Sequence, residues 1–239
     1  MQQIYFFNEG RRDMRALLGG KGANLAEMTH LGLPVPQGFT ISTVACHDYE
    51  KNQNQLSDEL RAEIAQALTR LEALTDKKFD SMQTPLLVSV RSGAAISMPG
   101  MMDTILNLGL NDQTVLGLAE QTHNERFAWD CYRRLLQMFG NVVYGMPEQT
   151  FESVLTSYKR RNGYHNDLDL TAGDLKAIAA RFQDLYLESG HGTFPQSPQE
   201  QLELAVAAVF TSWQNPRAQV YRELHHIDNT IGTAVNVQA

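Results

Sequence analysis

Apolar residues recur at helical spacing between positions 57 and 74. The four that share one helical face are Leu60, Ile64, Leu68 and Leu71. Ser57 is a residue type that caps helix N-termini, and the acidic pair that follows it favours the first turn. The pattern predicts an amphipathic helix that packs one face against a core.

Short apolar runs alternate with helical stretches in the first hundred residues. Residues 4–7, 39–42 and 85–90 have the composition of β-strands, and the third run brings Arg91 to its end. Between the first two runs, Leu25 belongs to a helical pattern that Gly32 and the following prolines terminate. This alternation predicts an α/β (α+β) fold with a mixed sheet.

After Asn111 the chain becomes helix-periodic, and glycines separate the helical stretches. The breaks are expected at Gly140, Gly145, Gly163 and Gly190. We therefore predict three subdomains, over residues 1–111, 112–197 and 198–239, of which the second is an inserted helical subdomain. Residues 233–237 have the character of a strand with no partner after it, so the third subdomain is expected to be incomplete and the sequence to be part of a longer chain.

Composition narrows the class of protein. The 239 residues carry a formal net charge of −7, which argues against a surface built for nucleic acid or anionic lipid. No stretch of 18 consecutive apolar residues or signal pattern is present, so we expect a cytoplasmic protein. Cys46 and Cys131 lie far apart without metal-ligand spacing, which predicts reduced, buried thiols.

The stretch GGKG, residues 19–22, is the first candidate for chemistry. Glycines allow backbone N–H groups to approach an anion, a helix N-terminus adds partial positive charge, and Lys21 adds a full one before a helix that begins near Ala23. The spacing does not match the P-loop pattern, because glycine follows the lysine. A phosphate site and a structural turn both remain open.

The second candidate is SVRSGAAISMPGMMDTILNLGL, residues 89–110. An arginine at the carboxyl edge of a strand is well placed to bind ligand phosphates through its two-pronged guanidinium, although a structural ion pair of Arg91 is an alternative. The methionines between Pro99 and Asp103 suit either a flexible lid or a core.

Other polar clusters give weaker signals. His225 and His226 are adjacent, so their side chains point in different directions on a helix and cannot readily share a metal. The basic runs at 133–134 and 159–161 are expected to be solvated helix faces.

Taken together, the segments at 19–42, 89–112, 126–145 and 215–227 resemble the N-terminal nucleotide-binding domain of the pyruvate, phosphate dikinase family. The segment SMPGMMDTILNLGL resembles the corresponding segment of the dikinases and not that of the related phosphoenolpyruvate synthases. The resemblance covers nearly the whole chain. It implies an ATP-grasp-like nucleotide site and a reaction that interconverts ATP, phosphate and pyruvate with AMP, pyrophosphate and phosphoenolpyruvate.

The resemblance also implies residue roles. Lys21 and Arg91 match the family's catalytic lysine and arginine, which contact the nucleotide phosphates, and the lid over those phosphates matches Gly100, Met101, Met102, Asp103 and Thr104. ATP and Mg²⁺ are the implied cofactors. The implied metal ligands, the phosphohistidine on a swivelling domain, the pyruvate site and the homodimer contacts all lie beyond residue 239.

Two other functions stay open on the sequence alone. One is a phosphoenolpyruvate synthase or a related dikinase that transfers phosphate to another acceptor. The other is a non-catalytic nucleotide-binding module. For the dikinase that the resemblance implies, we expect the 239 residues by themselves to lack catalytic activity and to bind ATP weakly, because half of the expected cleft is missing.

Overall fold

The computed structural model describes residues 2–96, 98 and 104–239, and the chain divides into two compact units. The first unit comprises Met1–Asp76, Val88–Thr104 and Leu202–Ala239. The second comprises Lys77–Leu87 and Ile105–Gln201. The chain thus leaves the first unit twice and returns to it for its last 38 residues, which include a strand of the first unit's sheet.

Four strands form the sheet of the first unit. They are β1 (Ile4–Phe6), β2 (Gly38–Ile41), β3 (Val88–Ala94) and β5 (Thr233–Gln238), and they lie in the order β1–β2–β5–β3. A further strand, β4 (Thr104–Leu108), begins at the last residue of this unit. Each pair of neighbouring strands among the four is antiparallel, so the predicted mixed sheet is wrong for these strands. The α/β class is confirmed.

The last strand occupies the middle of this sheet. Asn236 of β5 is the register partner of Thr40 on one side and of Arg91 on the other. The strand predicted at residues 233–237 is confirmed. Their partners are strands that precede them by about 140 and 195 positions, a separation that a local pattern cannot reveal.

The same pairing lengthens β3. Ser92, Gly93 and Ala94 continue the ladder opposite β5, so the strand begins at Val88 and ends at Ala94. Arg91 therefore lies at the middle of the strand. The prediction that it lies at the end of the strand is wrong. Its main chain is held by the ladder, which fixes the direction in which the side chain leaves the sheet.

The helices of the first unit cover the sheet. They are α1 (Arg15–His30), α2 (Thr43–Lys51), α3 (Asp58–Thr75) and α9 (Pro216–Leu224), while α8 (Pro198–Ser212) begins in the second unit and ends in the first. One face of the sheet is apolar and fully buried, with Phe39, Val90 and Val235 at 0% exposure. The predicted helix over 57–74 is confirmed, and Ser57 caps it by accepting a hydrogen bond from the Leu60 amide at 3.2 Å.

The second unit is mainly helical. Its helices are α4 (Thr114–Thr122), α5 (Glu125–Val143), α6 (Glu148–Asn162) and α7 (Ala172–Glu188). Gly145, Gly163 and Gly190 have positive φ angles where the chain leaves helices, as predicted. Gly140 instead lies inside α5, where it faces the Phe151 ring, so the predicted break at Gly140 is wrong.

No helix within the described residues combines the length and the apolar character needed to cross a lipid bilayer.

Candidate functional site

A cleft of about 430 Å³ opens in the first unit beside α1 and β3. Polar and small residues form part of its wall, and apolar side chains form the rest. The lining residues are Arg15, Gly20, Lys21, Asn24, Leu25, Met28, Ser92, Gly93, Ala94, Ile96 and Met98. The cleft therefore combines the GGKG stretch with the segment that follows Arg91, the two stretches that the sequence singled out.

The GGKG stretch interrupts α1. Gly19 has φ 69° and ψ 171°, a conformation that is essentially restricted to glycine, and helical geometry resumes after it. Lys21 thus lies in the first turn of the resumed helix, two residues earlier than the helix start predicted from sequence. Because the first amides of a helix lack internal partners, positive electrostatic potential is expected at this turn.

Two of the glycines are required by packing. An ideal Cβ at position 19 would lie 1.5 Å from the carbonyl oxygen of Gly93, and one at position 22 would lie 2.8 Å from Oγ1 of Thr40. The absence of side chains therefore lets α1 approach β3 and β2 closely. Gly20, in contrast, lines the cleft. The GGKG stretch is therefore a structural turn through Gly19 and Gly22, and the same stretch contributes Gly20 and Lys21 to the cleft.

Arg91 influences Lys21 electrostatically. Partial burial lowers the pKa of Lys21 below its ordinary value of 10.5, and the positive charge of Arg91 lowers this pKa further. Within residues 2–96, 98 and 104–239, neither cation forms an ion pair. Two like charges held near each other without a described counterion favour the binding of an anion.

Arg91 contributes an additional unsatisfied donor. Its side chain is not among those that line the cleft, although its neighbours Ser92 and Gly93 are. Its Nε atom is buried and has no hydrogen-bond partner in the described part of the chain. A buried donor without an acceptor is costly in a folded protein, so this atom marks a place where an acceptor stabilises the structure.

Arg15 was not singled out by the sequence analysis. Its Nε donates to the carbonyl oxygen of Ala95 at 2.8 Å, which links the start of α1 to the segment after β3. Arg15 lines the cleft together with Lys21 and therefore strengthens the positive potential there. Arg15 follows two other arginines closely and precedes a glycine-rich stretch. Nothing in this local sequence distinguishes it from a solvated arginine.

The predicted lid falls mostly on residues outside the described part of the chain. Gly100, Met101, Met102 and Asp103 belong to this group. Thr104 is exposed at the first position of β4 and does not line the cleft. Met98 is buried among Trp213, Ala218 and Ile227 and also contributes to the cleft wall.

The described wall of the cleft contains no carboxylate. Among the residues that the structure covers, no group of three or more acidic, histidine or cysteine side chains is arranged to hold a metal. Hard cations such as Mg²⁺ require oxygen ligands, and carboxylates are the usual protein contribution. The described residues of this cleft therefore do not fit a Mg²⁺ site.

The weaker candidates lie elsewhere. His225 and His226 are exposed just beyond the end of α9, as expected for a solvated helix end. Arg133 is only 4% exposed and pairs with Asp130 at 2.7 Å, so the prediction of a solvated face is wrong for this residue. Its burial follows from the register of α5, whose neighbouring residues Tyr132 and Leu136 are also buried.

Both cysteines are free thiols. Cys46 is buried, as predicted, whereas Cys131 is only partly buried. Burial raises the pKa of Cys46 to about 12 and that of Cys131 to about 11. Neither thiol is therefore poised as a nucleophile at neutral pH.

The fold and the cleft define an α/β domain with a cationic site suited to an anionic ligand. The chain matches the family model "Pyruvate phosphate dikinase, AMP/ATP-binding domain" over residues 15–78 and 52–239. The chain belongs to this family.

Individual relatives agree with that assignment. The chain is 55% identical to "Pyruvate, phosphate dikinase" of Clostridium symbiosum over 236 residues, which cover 98% of this chain and 27% of the relative. It is 53% identical over 232 residues to the chloroplastic pyruvate, phosphate dikinase of Flaveria trinervia, covering 97% and 24%. It is 50% identical over 241 residues to pyruvate, phosphate dikinase 2 of Zea mays, covering 99% and 27%. The chain thus spans about a quarter of the length of these curated relatives.

Proposed function

We propose that this chain is the nucleotide-binding part of a pyruvate, phosphate dikinase and that its cleft holds the phosphates of ATP. The observation that carries the proposal is the pair Lys21 and Arg91: partial burial and, to a smaller extent, the charge of Arg91 lower the pKa of Lys21, and neither cation has a carboxylate partner among the described residues. A polyphosphate supplies several negative charges to one small region. It therefore removes the repulsion between the cations and satisfies their donors.

The two side chains have different roles in this proposal. The ammonium group of Lys21 acts as a compact point charge, and the guanidinium of Arg91 offers a planar fork that binds two phosphate oxygens. Phosphoryl transfer depends on positioning and on neutralising charge on the phosphate oxygens. Holding Lys21 in a helical turn and Arg91 in a central region of the sheet provides that positioning.

The remaining proposed contacts come from the family resemblance. Gly100, Met101, Met102, Asp103 and Thr104 are proposed to cover the phosphates. Mg²⁺, which is expected to accompany ATP, is assigned no ligand among the described side chains.

The complete reaction is proposed by likeness to the relatives. A phosphoryl group would pass from ATP to a histidine on another domain, and pyruvate and inorganic phosphate would be the other substrates. The cytoplasmic location likewise stays a prediction. Turnover of the polypeptide that contains this chain, assayed with and without inorganic phosphate, tests this reaction. A phosphoenolpyruvate synthase does not require phosphate as a co-substrate, so undiminished turnover without phosphate contradicts the proposal.

Equilibrium binding of ATP to the 239-residue chain tests the site directly. Isothermal titration or ligand-observed NMR measures the dissociation constant for the wild type, Lys21→Met and Arg91→Met. Losing one charge-assisted phosphate contact is expected to weaken binding about tenfold or more, equivalent to roughly 1.5–3 kcal/mol. Lys51→Met removes an exposed lysine of the same unit and serves as the control. Equal affinity in all four proteins contradicts the assignment.

A further inference from the structure

Asn236 is a fully buried polar residue at the centre of the first unit's sheet. Only 1% of it is exposed, although the neighbouring positions of β5 are apolar. It lies opposite Arg91 on one neighbouring strand and opposite Thr40 on the other. Because register partners project from the same face of a sheet, the three side chains form one row.

One end of the Asn236 amide is fixed. The Thr40 hydroxyl donates to Oδ1 of Asn236 at 2.9 Å, in a buried hydrogen bond between β2 and β5. The opposite end, Nδ2, is buried and has no hydrogen-bond partner within the described residues. The amide therefore carries an oriented dipole whose N–H end is uncompensated by the residues around it.

The uncompensated end lies next to Gly93, a residue of the cleft wall, although Asn236 itself does not line the cleft. An ideal Cβ at Gly93, which lines the cleft, would lie 2.5 Å from Nδ2 of Asn236. An ideal Cβ at Gly22, the residue after Lys21, would lie 3.0 Å from Oδ1. The amide thus fills the space that these two glycines leave between the helix that carries Lys21 and the strand that carries Arg91.

We propose that Asn236 is a positioning residue of the phosphate site: its amide lies behind the cleft wall, where it spaces the Lys21 turn from the Arg91 strand and places its N–H end against Gly93. The neutrality of the side chain is essential to this role. A carboxylate at this position would lie beside Arg91 and neutralise it, whereas the amide leaves the charge of Arg91 available to a phosphate. This inference rests on the function proposed above, and it adds a residue from a strand far from both motifs.

The decisive variant is Asn236→Asp, which changes the charge and keeps the shape. We expect ATP affinity to fall about tenfold or more, because an internal carboxylate competes with the ligand for the cations. We also expect the pKa of Lys21, followed by NMR of ¹³C-labelled lysine in the ligand-free chain, to rise by about one unit. Asn54→Asp makes the same change of net charge at an exposed position and controls for long-range electrostatics.

Thr40→Val provides a second, independent variant. It removes the hydroxyl that fixes the amide and introduces no charge, so it tests orientation alone. We expect a loss of ATP affinity of about three- to tenfold with an unchanged pKa of Lys21. If Asn236→Asp does not fold, the outcome with Thr40→Val decides the question.

The proposal is overturned if Asn236→Asp folds and leaves both the ATP affinity and the pKa of Lys21 unchanged, or if Thr40→Val binds ATP as the wild type does. Failure of the broader function gives a different result. If the wild type binds no ATP, the nucleotide assignment fails, while the pKa of Lys21 in Asn236→Asp still reports whether position 236 is coupled to the cation pair.

Discussion

Gly19 and Gly93 approach each other so closely that a Cβ on Gly19 would lie 1.5 Å from the carbonyl oxygen of Gly93. This contact joins the interruption of α1 to the strand beside the cleft. We predict that Gly19→Ala lowers the free energy of unfolding by more than about 3 kcal/mol, because it combines an unfavourable backbone conformation with overpacking. Urea denaturation followed by circular dichroism measures the change.

Gly32 provides the matched control for this prediction. It also has a positive φ, but nothing lies within 4 Å of an added Cβ. Gly32→Ala therefore reports the backbone cost alone, which is about 1–2 kcal/mol. Equal destabilisation by the two substitutions would show that the contact between Gly19 and Gly93 contributes nothing.

We expect the charge of Lys21 to destabilise the ligand-free chain and to favour ATP binding. Without a ligand, its charge is partly desolvated and lies near the charge of Arg91. We predict that Lys21→Met raises the unfolding free energy of the ligand-free chain by a few tenths to about 1 kcal/mol while it weakens ATP binding. Thermal unfolding with and without ATP measures both effects. A variant that is destabilised without ligand would indicate that Lys21 has a structural role instead.

The lowered pKa of Lys21 predicts how binding depends on pH. Only the protonated ammonium attracts phosphate, so ATP affinity should fall as the pH rises through this pKa. Because the pKa lies below the ordinary 10.5, the fall begins at a lower pH than an unperturbed lysine would give.

Titrations between pH 7.5 and 10 measure this dependence, and the comparison protein is Lys21→Arg. Arginine stays protonated throughout this range, so the variant should show a flatter profile. Parallel profiles for the two proteins would exclude Lys21 as the titrating group.

Gly140 gives a prediction for the second unit. Replacing glycine by alanine inside a helix ordinarily stabilises it by about 1 kcal/mol. At position 140 an added Cβ would lie 2.5 Å from Cζ of Phe151, so we predict that Gly140→Ala destabilises the protein by about 1–3 kcal/mol.

Gly173, near the start of α7, has a contact no closer than 3.8 Å for an added Cβ and is the control. Gly173→Ala should stabilise the protein by a few tenths to about 1 kcal/mol. If both variants are stabilised, Phe151 packs against α5 more loosely than the distance of 2.5 Å implies.

Local patterns were sufficient to predict much of the fold. Ser57 and the apolar face after it specify α3 through capping and periodicity, which depend on neighbouring residues only. The extension of β3 past Arg91 could not be predicted in this way, because it depends on pairing with β5. Long-range pairing leaves no periodic signal in the strand that it lengthens.

The candidate site was predicted only in part. Lys21 lines the cleft, and Gly93, two residues beyond Arg91, forms part of the same wall. Asn236 gave a faint signal, a polar residue inside an apolar strand, but its meaning depends on Thr40 and Gly93, which are adjacent only in the folded protein. The roles of glycines also required the structure, since Gly19 and Gly22 serve packing and Gly20 faces the cleft.

The pKa of Lys21 with and without inorganic tripolyphosphate tests the central claim most directly. NMR of the chain labelled with ¹³C at lysine Cε follows this pKa, and Lys51 serves as an internal reference on the surface. If the phosphates lie between Lys21 and Arg91, saturation should raise the pKa of Lys21 by about one unit or more and leave that of Lys51 unchanged. Binding of tripolyphosphate that leaves the pKa of Lys21 unchanged would contradict the account.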